Sequence, residues 1–166
     1  MRPSPTVGLA SVCLVTVLWV SASADPPAAG PEAIGSKGTA KWTESTEKAA
    51  TTPEQKSVLA SGKVATITGE LVDVSCYLQL GKRGDAHVPC GSDCIKHGQP
   101  AGIVDETGKL TLLFIEEHDP RRYGQVDVRD KLASLLAKQV SATGMLTTTK
   151  DSQALYLRGS DINVAK

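Results

Sequence analysis

The chain has no surplus of positive charge. Its 18 Lys and Arg are matched by 18 Asp and Glu, so it lacks the basic excess with which nucleic-acid binders neutralise phosphates. Aromatic residues are scarce, at 4 %, which leaves few platforms for stacking bases or sugars. No nucleic-acid partner is expected. There is no Ser/His/Asp arrangement, phosphate loop or paired-carboxylate motif, so nothing points to hydrolysis or phosphoryl transfer. The cysteines form neither C-x-x-C nor C-x-x-C-H, which argues against a thioredoxin-like redox unit and against covalent haem. No apolar run reaches the ~20 residues that span a bilayer. With 166 residues, the chain is sized for one ordinary domain with extensions.

What is present begins with an export signal. Arg2 precedes an apolar run from Val7 to Val20, and Ala22 and Ala24 stand in the A-x-A arrangement that a signal peptidase reads. Residues 1–24 are read as a signal peptide cleaved after Ala24, which places the mature protein in the periplasm or outside the cell, with no membrane span left after cleavage. Cleavage removes Cys13 and leaves three cysteines, Cys76, Cys90 and Cys94. An odd count in an oxidising compartment is notable, because one disulfide would leave a thiol over.

Residues 25–62 are rich in Ala, Pro, Gly, Thr, Lys and Glu, with little apolar periodicity. Composition reads them as a flexible linker. Within it, Thr52-Pro53-Glu54-Gln55 makes a capping box with proline at the first helical position, so a short helix is expected over 53–61. Trp42 stands alone in this region with no partner suggested by the pattern.

From residue 63 the pattern turns to strand. Val64, Thr66 and Thr68 alternate with Ala65 and Ile67, and Gly69 marks a bend. After a cysteine-rich segment, Gly102–Val104 and Leu110–Ile115 flank a turn at 105–108 and read as a hairpin. Val128, Leu132, Leu135 and Leu136 fall at helical spacing over 128–138. Val140–Leu146, with a glycine bend, and Ala154–Leu157 form a second hairpin. Three strands, a helix and two strands is the element order of a small five-stranded OB-like barrel with one helix between strands three and four. The expected class is mainly β, with residues 63–166 as the barrel domain and residues 76–100 as a Cys/His loop between its first two strands.

That loop concentrates the chemistry. It contains Cys76, His87, Cys90, Cys94 and His97, and so all three mature cysteines and two of the chain's three histidines. A helical turn through Cys90 and Cys94 stacks them at i and i+4. Three thiolates and one imidazole make a soft tetrahedral set, suited to zinc as a closed structural site or to copper(I). His87, three residues before Cys90 in a Gly- and Pro-containing loop, is the first choice of imidazole, and His97 is the competing ligand. Both histidines with two cysteines would make a different copper site. Tyr77 is placed to cover the site or to donate a hydrogen bond to a thiolate. Two other readings stay open. Cys76 bridged to Cys90 or Cys94 would staple the loop, worth on the order of 3 kcal/mol, and leave an interaction module whose partner is another exported protein. A thiol oxidoreductase would instead need a reactive Cys90 or Cys94. Elsewhere, His118 sits with Glu116, Glu117 and Asp119, whose carboxylates could bind a hard cation, although a solvated acidic loop is the simpler reading.

Gly69, Glu70, Leu71, Val72, Asp73, Cys76, Tyr77 and Leu78, then Gly84, His87, Cys90 and Cys94, then Gly98-x-Pro100-x-Gly102, form a motif series. It resembles a group of small exported bacterial proteins with Cys-Tyr-Leu, His-x2-Cys-x3-Cys and Gly-x-Pro-x-Gly on a short β-rich domain. The likeness covers roughly residues 64–165. It implies an exported bacterial protein with a site on positions 76, 87, 90 and 94. Position 97 is not part of that pattern.

Overall fold

The computed structural model describes residues 30–116 and 126–162. The signal peptide read from residues 1–24, the first residues after it, and His118 with its acidic neighbours Glu117 and Asp119 lie outside the described residues.

The domain is a closed barrel of five strands with a sixth strand added to it. The barrel strands are β2 (Lys63–Asp73), β3 (Ala101–Val104), β4 (Leu110–Ile115), β5 (Gln139–Thr149) and β6 (Ser152–Leu157). β2 pairs antiparallel with β3, and β3 with β4. β4 then runs parallel to β6, and β5 closes the circuit by pairing antiparallel with both β6 and β2. This is the mainly β, OB-like barrel that the element order predicts.

The two glycine bends have a steric cause. β2 spends its first part, Lys63–Glu70, against β5 and its last part, Glu70–Asp73, against β3. The strand changes partners at Gly69, where a Cβ would stand 2.3 Å from the Val104 carbonyl oxygen. β5 likewise passes from β2 to β6 near Gly144, where a Cβ would meet the Tyr156 carbonyl oxygen at 2.3 Å. Only glycine lets the backbones approach this closely as the strands coil round the barrel.

Leu71, Ile103, Leu113, Val140, Leu155 and Leu157 fill the interior. Helix α5 (Arg129–Ser134) brings Leu132 to this core, and the turn after it brings Leu135 and Leu136. The amphipathic stretch is therefore a shorter helix than the periodicity over 128–138 suggests. Ala137 takes a left-handed conformation at φ 63°. Its N–H donates to the Leu71 carbonyl, and Lys138 accepts from the Leu71 N–H, so β2 claims the backbone that would have continued the helix.

The segment read as a linker is largely built into the fold. β1 (Glu32–Gly35) adds parallel to β5, on the edge that β2 leaves free. Two helices follow, α1 (Glu44–Ala49) and α2 (Pro53–Ala60). The second matches the expected helix, and both halves of its capping box form between Thr52 and Gln55. Trp42 is docked: its indole N–H donates to the Leu59 carbonyl, and its ring meets Tyr156 edge-on at 5.2 Å. Composition misses this because an added strand is held by backbone hydrogen bonds, which need no apolar periodicity. Glu116, considered above as a cation ligand, holds the segment down. It accepts from Thr43, Thr46 and Arg158.

Candidate metal centre

The connection between β2 and β3 is helical. β2 ends at Asp73, which caps helix α3 (Val74–Leu80) by accepting the Ser75 N–H on Oδ1 at 3.0 Å. Cys76 thus lies in the first turn after the strand. Gly81, at φ 65°, ends the helix in the left-handed conformation that favours glycine. The chain returns through Arg83, whose Nε and Nη2 both donate to Glu70 Oε2, while the Gly84 N–H donates to Glu70 Oε1. One buried carboxylate on β2 therefore pins the return of the loop. A 3-10 turn (Asp85–His87) leads into α4 (Val88–Lys96), with Pro89 in its first turn. This helix begins earlier than the cysteine spacing alone suggests. Its inner face, Gly91 and Ile95, is buried, and Ser92 donates to the Ala133 carbonyl of α5. The loop is seated on the helix that follows β4.

This path brings the donors together. The sulfurs of Cys76, Cys90 and Cys94 all lie within 4.8 Å of one another. A tetrahedral zinc with Zn–S near 2.3 Å holds its sulfurs about 3.8 Å apart, so a small closing movement suffices. All three are free thiols; Cys90 is exposed, and Cys76 and Cys94 are partly buried. A second group, Asp73, Cys76 and His87, also has its ligand atoms within 4.8 Å of one another. The two groups share Cys76, so His87 joins the cluster through that sulfur. The three cysteines form one group, and His87 falls in the other with Asp73 rather than beside Cys90 and Cys94.

Asp73 is fully buried and His87 is 5 % exposed. Asp73 Oδ2 and His87 Nε2 face each other at 3.8 Å, beyond hydrogen-bond distance, and neither has a hydrogen-bond partner. Buried polar atoms left unpaired are rare, and each calls for an explanation such as an ordered water, an ion or a functional role. His87 is wedged by the absence of a side chain on α4: a Cβ at Gly91 would lie 2.9 Å from Nε2. His97 stands apart from both groups. It is exposed, and its Nδ1 is bonded to the Asp93 carbonyl at 2.7 Å. Tyr77 is half-buried beside Cys76.

The negative surroundings act on the thiols. The Asp73 carboxylate first, then burial and the neighbouring sulfurs, push the Cys76 thiol up to about 12. Burial first, then Asp73 and Cys90, push the Cys94 thiol up as well. Without a cation these two are neutral at physiological pH, which is contrary to what a nucleophilic redox thiol requires. A bound cation would reverse the balance by stabilising the thiolates.

No protein-family model, curated protein or solved structure matches the chain. The reading therefore rests on geometry. That geometry is a cluster of cysteine and histidine able to hold a metal ion. Sequence reasoning passed over Asp73 as a ligand. Its one signal was position, at the end of a strand three residues before Cys76.

Proposed function

We propose that this protein binds a soft metal ion outside the cytoplasm, with the thiolates of Cys76, Cys90 and Cys94 and the imidazole of His87. The supporting observation is the three converging sulfurs beside a buried His87 nitrogen that has no partner. A disulfide between two of the cysteines would leave that nitrogen and Asp73 Oδ2 without a partner from the cysteines, a cost a bound metal would remove. Zinc is the first reading, because an imidazole and a carboxylate beside the thiolates suit it, and the ion would tie the long loop to the barrel. Copper handling is the second reading. Exposure of Cys90 supports it, since a partly open all-sulfur face suits transfer of copper(I) to another exported protein.

The test is to express the full chain for export to a bacterial periplasm and purify it without chelator. Metals are then measured by elemental mass spectrometry and thiols counted in denaturant on the same sample. Zinc or copper bound to each chain, with three reactive thiols, is the expected result. A metal-free protein with one free thiol would sink the proposal and point to a disulfide staple. Cys90→Ser is expected to weaken metal binding more than about 100-fold, beyond what losing an outer partner of a ligand costs. An unchanged affinity in a competition titration would remove Cys90 from the ligand set.

A further inference from the structure

The inference that follows rests on the metal reading and concerns how many ions the centre takes. Three thiolates and the Asp73 carboxylate carry four negative charges once the thiols ionise. A single divalent ion would balance two of them. Arg83, the guanidinium on this loop, is engaged with Glu70.

The arrangement of the donors carries the argument further. Asp73 Oδ1 accepts the Ser75 N–H, which leaves Oδ2 free. Oδ2 and His87 Nε2 are 3.8 Å apart. An oxygen and a nitrogen on one tetrahedral zinc, each about 2.1 Å from it, stand roughly 3.4 Å apart, so the pair is within a few tenths of an ångström of ligating distance. Both residues lie more than nine-tenths buried, and Cys76 completes their group.

We propose that the centre holds two ions bridged by the Cys76 thiolate. The outer ion sits on Cys76, Cys90 and Cys94, with its open position on the side of the exposed Cys90. The inner ion sits on Asp73, Cys76 and His87. The shared sulfur keeps the two within about 4.6 Å of each other. The carboxylate oxygen serves copper(I) poorly and suits zinc, so the inner position selects zinc while the all-sulfur position accepts either metal. Two divalent ions bring the charge of the four anionic ligands to zero, and the thiol protons leave to solvent as the ions enter.

The experiment is equilibrium dialysis of the full exported chain against zinc, with zinc per chain measured by elemental mass spectrometry. Wild type is expected to bind two. Asp73→Asn, which retains the Oδ1 cap, and His87→Gln are each expected to bind one, and circular dichroism would show that both fold. One zinc in wild type, unchanged in the two variants, would overturn the bridged pair and leave the single-ion reading standing. Two zincs in wild type and in both variants would overturn the assignment of Asp73 and His87. No zinc in wild type would overturn both readings. Titration with cobalt(II) adds a check independent of stoichiometry. A shared thiolate couples the two spins, so the resonance signal at two equivalents should fall below twice that at one. A signal that simply doubles would overturn the bridge.

Discussion

At the scale of single residues, the proposed centre holds protons that a bound metal would have to displace. Cys76 and Cys94 both hold theirs well above neutral pH, Cys76 up to about 12, because Asp73, burial and the other sulfurs disfavour the thiolates. Ligands must be deprotonated to bind. The sign follows directly. Protons compete with the metal, so affinity rises with pH, and each proton released adds a tenfold gain per pH unit. Zinc binding at pH 7.5 is expected to release at least two protons per chain. Calorimetry in buffers of different ionisation enthalpy measures this, and release of fewer than one would show that these thiols do not ligate. The cysteines and His87 are legible in the sequence because few residue types make soft ligands. Asp73 is not legible in that way. Aspartate at a strand end is ordinary as a helix cap, and Asp73 is one; only burial of its second oxygen beside His87 brings it into the proposed site.

At the scale of elements, helix α4 is the device that sets the geometry. Its spacing stacks Cys90 and Cys94, while Gly91 between them faces inward and leaves room for the His87 ring and Leu136. Gly91→Ala would place a Cβ 2.7 Å from Leu136 Cδ2 and 2.9 Å from His87 Nε2. Leu136 can yield by turning its terminal methyl, whereas the imidazole must shift as a ring. The variant is expected to lose about 1 kcal/mol of stability and at least about tenfold in zinc affinity, the usual effect of misplacing a ligand's support. Denaturant melts and competition titrations measure the two effects. A loss of stability with no loss of affinity would show that the His87 position is unimportant for binding. The i,i+4 stacking of the two cysteines was readable from spacing. The start of the helix at Val88 was not, because Pro89 fits a first turn as well as it fits a loop.

At the scale of the whole molecule, the segment before the barrel is joined to it by β1 on β5, by Trp42 on Tyr156 and by Glu116. That carboxylate takes the Thr43 N–H and hydroxyl, the Thr46 hydroxyl and the Arg158 guanidinium, and Arg158 also donates to the Lys41 carbonyl. Glu116→Ala leaves a largely buried guanidinium without its partner and is expected to cost about 3 kcal/mol. Because the segment lies away from the cysteines, zinc stoichiometry should not change, and thermal melts with metal analysis test both statements. The barrel order could be read from the sequence because strand alternation, glycine bends and one helical period are local signals that add up to one topology. The clustering of cysteines and histidine could be read as well, since they fall within one loop of the sequence. The tertiary structure alone decided that residues 30–62 belong to the fold, because strand addition and the docking of Trp42 depend on distant backbone and on Tyr156. It alone decided that Asp73 faces His87 across an unfilled hydrogen-bonding gap, because burial is a property of what the rest of the chain places around a residue.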